Sequence, residues 1–288
     1  MSLEILINEN ATKVKETLSK LLVGRGYSEN LIEAMKYTAL SGGKFIRPFL
    51  VTEFCRMNGG VDGDSLTLAC AVEMIHAYSL IHDDLPCMDN SKVRRGRASN
   101  HIVNGEAGAL LAGDGLLTKA FQVIADSPIS AEARIDAVRE LARYSGPDGM
   151  VGGQQLDCEQ VTAGMTKIVA IHEGKTVALI QAGCVLGVIA AGGTKADKTV
   201  AREYGYNIGM AFQIVDDVLD VIGDKNKLGK PTGTDLGNGK TTFVTLLGVD
   251  KSIELAKEYT EKAKAVLPDN EHGKVLSELA DYLGSRLN

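Results

Sequence analysis

Apolar residues recur at three- and four-residue spacing through most of this 288-residue chain, while period-2 runs and β-branched or aromatic clusters are sparse. This pattern constrains the fold more than any motif, because each amphipathic stripe has to be buried against another helix. An all-α fold follows. Gly, Pro, Asp and Asn breaks divide the pattern into helices predicted at 4–22, 29–40, 45–58, 64–83, 106–125, 130–144, 148–159, 166–191, 197–222, 240–248, 251–266 and 272–286. No low-complexity linker or composition shift separates them, so residues 1–288 read as a single domain. The most apolar stretch, "TVALIQAGCVLGVIAAGG" from Thr176, is interrupted by Gln181 and reads as a buried core helix rather than a membrane span.

A net charge of −6 argues against general binding to nucleic acid or to an anionic membrane. An anionic ligand would therefore need locally concentrated positive charge. The five cysteines, Cys55, Cys70, Cys87, Cys158 and Cys184, are widely spaced and form no C-x-x-C pair, which suggests neither a disulfide framework nor a zinc site and fits a reducing cytoplasm. The segment "MSLEILINEN" lacks the basic stretch and long apolar run of a secretory signal.

Two acidic clusters interrupt the apolar pattern. In "FQIVDDVLD", Gln213, Asp216, Asp217 and Asp220 fall at i, i+3, i+4 and i+7, a polar stripe on an otherwise apolar helix. In "IHDDLPCMDNSKVRRG", Asp83 and Asp84 end a long apolar helix at Pro86, and Asp89 follows. Carboxylates this close repel unless something neutralises them, and hard divalent cations do so. A solvated acidic face is the alternative. Upstream, His76, Ser79 and Asp83 share one helical face; a hydrogen-bonded core histidine is the plain reading of His76, a substrate contact the sharper one. Basic residues stand in "GGKFIRP" (Lys44, Arg47), "VRRG" (Arg94, Arg95), "HEGKT" (Lys175, then Thr176), "KLGKP" (Lys230) and "NGK" (Lys240). Each alone reads as a surface charge; together with the acids they suit a polyanion shared through Mg²⁺.

The stretches "GGKFIRP", "EMIHAYSLIHDDLPCMDNSKVRRG", "NHIVNGEAGALLAGDGLLTKAFQ", "GGQQLD", "HEGKT", "FQIVDDVLDVIGD" and "KLGKPTGTD" occur in an order that resembles the short-chain trans-prenyl diphosphate synthases, and within them the bacterial farnesyl diphosphate synthases. The resemblance runs nearly end to end. It implies a helical bundle around a central cavity with two facing Asp-rich motifs, a homodimer, and three Mg²⁺ ions per active site. Asp83 and Asp89, with Asp84 nearby, would hold two ions, and Asp216, supported by Asp217 and Asp220, the third. Arg94, Lys175, Thr176, Gln213, Lys230 and Lys240 would contact an allylic diphosphate, and Lys44, Arg47, His76 and Arg95 isopentenyl diphosphate. The implied reaction ionises the allylic C–O bond, adds the isopentenyl double bond to the cation and loses a proton, with no side chain named as general base.

Two departures stand out: Phe45 where the family commonly has a basic residue, and Asn90, Ser91 and Lys92 where it has more acids. Tyr78 lies about 7.5 Å along the helix before Asp83. Beside small Ser79 it would floor the cavity at the fifteen-carbon farnesyl product, unless it is plain core packing. A geranylgeranyl synthase or a non-catalytic partner subunit are the alternatives. A terpene cyclase would not be expected to keep "GGKFIRP", and a plain helical binding protein would leave the carboxylate stripes without purpose.

Overall fold

The computed structural model describes residues 2–159, 164–222 and 241–284. Its helices are α1 (Leu3–Leu21), α2 (Glu29–Ala39), α3 (Ile46–Met57), α4 (Asp62–Asp83), α5 (Asn100–Ala125), α6 (Ala131–Ser145), α7 (Met150–Cys158), α8 (Met165–His172), α9 (Ala178–Ala190), α10 (Lys195–Ile222), α11 (Phe243–Leu247), α12 (Val249–Ala265) and α13 (Glu271–Gly284). The fold is all-α, as the spacing predicts. Boundaries match the predicted helices to within about two residues at most ends, because the same apolar stripes that mark them are the ones buried.

Helices α4 and α9 lie at the centre. Every residue of α9 except Gln181 is buried, and Gln181 donates from Nε2 to the Arg202 carbonyl of α10 at 2.9 Å. Its polar interruption is thus satisfied inside the bundle. The continuous helical stretch Met165–Ala190 is long and apolar enough to cross a membrane, yet 72% of its most apolar window is buried within the protein. It is a core helix.

Three features escape the helical pattern. Strands β1 (Val93–Arg94) and β2 (Arg97–Ala98) pair antiparallel, with Arg94 opposite Arg97. The two-residue loop between them, Arg95 and Gly96, has φ of +54° and +73°, the primed turn that matches strand twist. Helix α5 begins at Asn100, earlier than predicted, and bends at Gly105 (φ 73°, ψ 162°). Between α8 and α9, Glu173–Val177 forms a π-helical turn, a register shift often found at functional sites.

Candidate active site

The first acidic cluster is assembled by a backbone turn. The Asp89 amide donates to the Asp83 carbonyl at 2.9 Å, and the Asn90 amide donates to the Leu85 carbonyl at 3.0 Å. This folds Asp89 back onto the helix end. Asn90 has φ +48°, a conformation that asparagine adopts more readily than most residues. Its identity, odd as a departure from an acidic run, fits the backbone it occupies. Ser91 caps the same turn by donating from Oγ to the Val93 carbonyl at 3.0 Å; Lys92 has no such explanation in its side chain.

The carboxyls are not equivalent. Burial, reinforced by Asp89 and Asp84 and opposed by Lys175 and Arg94, pushes the Asp83 carboxyl up to about 6. Asp84 is buried and accepts from Arg94 Nη2 at 2.6 Å and from Nε at 3.1 Å. Sequence reasoning places Arg94 on a diphosphate; in the structure its guanidinium is held by Asp84. Burial would lower the Arg94 pKa, but that hydrogen bond and the acidic cluster raise it.

The π-helical turn connects the two acidic motifs. Lys175 Nζ donates to Asp157 Oδ2 at 2.6 Å, and Asp157, Asp83 and Asp89 outweigh burial to raise its pKa. The next residue, Thr176, donates from Oγ1 to Gln213 Oε1 at 3.0 Å. Gln213 Nε2 in turn donates to Asp217 Oδ1 at 3.2 Å, and the Phe243 amide donates to Asp217 Oδ2 at 3.1 Å. Asp217 and Asp220 are buried, whereas Asp216 is partly exposed. Glycine makes the approach of the turn possible. A Cβ on Gly153 of α7 would lie 2.0 Å from the Lys175 nitrogen, and one on Gly174 would lie 2.6 Å from the Gly153 Cα. Asp157, one turn after Gly153, thereby reaches Lys175. The motif "GGQQLD" ends on Asp157, whose partnership with Lys175 only the fold reveals.

A basic cavity of about 240 Å³ lies beside α4, lined among others by Lys44, Phe45, Arg47, Glu73, His76 and Arg95. The primed turn delivers Arg95, which donates from Nη1 to the Gly42 carbonyl at 2.5 Å and lies with Nη2 3.3 Å from His76 Nε2. Burial and the arginines Arg47, Arg95 and Arg94 hold His76 well below the usual imidazole pKa, so it is neutral. Lys44 donates to the Tyr282 hydroxyl and lies over that ring. Phe45 caps α3 in the left-handed region at φ 51°, with Lys15 Nζ of α1 4.9 Å from its ring centroid. A cation from another helix thus reaches the neighbourhood where the family commonly has a basic side chain. Glu73, one turn before His76, went unremarked in the sequence, although helical spacing puts both on one face.

Tyr78 is buried, with its ring edge-on to His82 at 5.6 Å. His82 sits over Gly113 of α5, where a Cβ would come within 2.1 Å of Nε2. Ser79 donates back to the His76 carbonyl at 2.9 Å, so its hydroxyl serves its own helix. Lys230 and Lys240 lie outside the described residues. A larger cavity, about 850 Å³, is walled by α6, α7, α8, α9 and α10 and touches none of the predicted site residues among those described.

For a metal, the donor chemistry is suitable. No group of three metal-ligating side chains is assembled among the described residues, while hard carboxylate oxygens cluster at Asp83 and Asp89 and again on α10. Mg²⁺ takes one or two protein carboxylates and completes its shell with water and phosphate, so this donor set fits it.

The chain is 41% identical to a chloroplastic geranylgeranyl pyrophosphate synthase of Capsicum annuum over 99% of its own length and 79% of that protein's. Among solved structures, it superimposes with a TM-score of 0.91 on the geranylgeranyl pyrophosphate synthetase of Pyrococcus horikoshii, at 30% identity over 99% of this chain and 98% of that one. An FPP/GFPP synthase of Zymomonas mobilis gives a TM-score of 0.87 at 33% identity, over 97% of this chain and 98% of its own. The polyprenyl synthetase family model matches residues 28–280, and with these likenesses in sequence and fold the chain belongs to the polyprenyl synthetase family.

Proposed function

We propose that this trans-prenyltransferase condenses isopentenyl diphosphate with an allylic diphosphate and elongates the chain to geranylgeranyl diphosphate. The observation that carries the reaction is the pairing of an acidic helix end, Asp83 to Asp89, with a separate basic cavity on the same helix. The acidic side suits an allylic diphosphate held through Mg²⁺, with Asp83 and Asp89 as ligands on one motif and Asp216 on the other. Lys175 and Thr176 stand between them as donors to the leaving diphosphate, oriented by Asp157 and Gln213. Lys44, Arg47, His76 and Arg95 suit isopentenyl diphosphate.

Bound Mg²⁺ would supply positive charge that stabilises the departing diphosphate and allows the allylic C–O bond to ionise. Lys175 adds a fixed charge beside it, aimed before the reaction starts. The apolar side chains Leu50, Ile180, Ile208 and Phe212 line the basic cavity and would keep water from the cation. The cytoplasm suits the unpaired thiols, one domain spanning the chain suits the long family match, and a homodimer suits the exposed Ile102, Val103, Leu110 and Leu111 on α5.

Chain length is the finer step. Sequence similarity to geranylgeranyl synthases supports the twenty-carbon product over the farnesyl product expected from Tyr78. Farnesyl diphosphate stands as the second reading, favoured by the burial of Tyr78 beneath Asp83. Purified protein given Mg²⁺, isopentenyl diphosphate and dimethylallyl, geranyl or farnesyl diphosphate decides between them by product chromatography. Conversion of farnesyl primer to a twenty-carbon product supports the first reading, accumulation at fifteen carbons the second, and no elongation from any primer removes both.

A further inference from the structure

The basic cavity contains an acid. Among the described residues Glu73 is the one acid lining it, it is only 4% exposed, and a carboxylate there would by itself repel an anionic ligand. Arg47 of α3 and Arg95 of the hairpin turn face the same space, and Lys15 of α1 lies close enough to act on Glu73. His76, on the same face of α4, is neutral and adds no charge. Burial lowers the proton affinity of both arginines, helped by Arg95 at Arg47 and by Arg94 at Arg95, and Glu73 is the leading charge that opposes this at both. Arg47 Nε is buried without a hydrogen-bond partner among the described residues. That nitrogen leaves the guanidinium to be steadied there by charge, which Glu73 supplies.

We propose that Glu73 is a positioning residue for isopentenyl diphosphate, keeping Arg47 and Arg95 together in the cavity so that one diphosphate meets both. The proposal rests on the reading of this cavity as the isopentenyl diphosphate subsite. Glu73 need not touch the substrate. Without its charge the arginines repel, and Arg95, on an exposed two-residue turn, is left to its hydrogen bond with the Gly42 carbonyl.

The test is steady-state kinetics of the full chain with Mg²⁺, varying each substrate at saturation of the other, in the wild type, Glu73→Gln and Glu73→Asp. Loss of a charge-assisted contact predicts that Glu73→Gln raises KM for isopentenyl diphosphate about tenfold, with kcat and the allylic KM within about twofold. Glu73→Asp keeps the charge and falls between, at about threefold. An isopentenyl KM that is unchanged or lowered, the mark of a carboxylate that merely repels substrate, overturns the proposal. So does a parallel rise in both KM values. If Glu73→Gln does not fold, Glu73→Asp decides on the same criteria. Failure of the underlying reading is distinct: wild-type protein would not elongate at all, or a rise confined to the allylic KM would show that the cavity takes the other substrate.

Discussion

Glu73 also ties the stability of the fold to pH. Burial, only partly offset by Arg95, Arg47 and Lys15, raises its carboxyl from 4.5 to about 7. Because the folded state holds this proton more tightly than the unfolded chain, its stabilisation is complete below about 4.5 and is lost as pH rises toward 7. Glutamine has no such dependence. The stability of Glu73→Gln relative to wild type should therefore increase by roughly 3 kcal/mol between pH 4.5 and 8, read from denaturant midpoints at a series of pH values. A flat difference would mean that Glu73 is not a buried charge. As pH rises toward neutral the variant is thus expected to gain stability relative to wild type while binding isopentenyl diphosphate less well, opposite to a residue that only supports the fold. At this scale the sequence was legible where side-chain chemistry is explicit, as in the aspartates, and silent where the backbone decides. Phe45, Asn90 and Arg95 all adopt positive φ, and only for Asn90 does residue type hint at it.

Among the elements, the π-helical turn is the joint on which both acidic motifs depend. Gly153→Ala would push a methyl into the Lys175 backbone, and overpacking of this kind costs about 1–3 kcal/mol. Displacement of Lys175 and Thr176 should lower kcat at least tenfold even in the fraction that remains folded, as expected when a charge-assisted contact in the transition state is misplaced. Gly63→Ala, in the open first turn of α4, serves as the control, with unchanged kcat and a melting temperature equal to or slightly above wild type. Tyr78 tests another joint, between α4 and α5. Tyr78→Ala removes the ring that packs against His82 and should lengthen the product by at least one isoprene unit; an unchanged chromatogram would leave Tyr78 as core packing alone. Periodicity revealed these long helices because burial is repetitive. It could not reveal a two-residue hairpin, whose turn carries Arg95 where Asn or Asp is the usual signal, nor the π register shift, which leaves the apolar spacing nearly intact.

On the scale of the molecule, distant parts of the chain are closed on one another by a polar network. Buried Glu53 of α3 accepts from Arg56 at 2.6 Å and lies 3.1 Å from His272 of α13, while Arg56 and Lys13 of α1 both hold Asp62. Beyond this network, the least explained surface is the outer face of α5. Ile102 and Val103 before the bend at Gly105, and Leu110 and Leu111 after it, are 46–55% exposed. Large apolar side chains grouped this way mark a surface that is covered by a partner, and for the proposed homodimer the partner is a second copy in a self-complementary arrangement. A charge placed on such a face is introduced into both halves of the interface at once, so one substitution delivers twice the repulsion and desolvation. Leu111→Glu should therefore shift the protein from dimer to monomer in sedimentation equilibrium at micromolar concentration, without lowering its helical content. Because α5 packs on α4 through Gly113 and His82, directly beneath the first acidic motif, loss of the partner should also lower activity per chain. A variant that remains dimeric with wild-type affinity would place the interface on another face of the bundle.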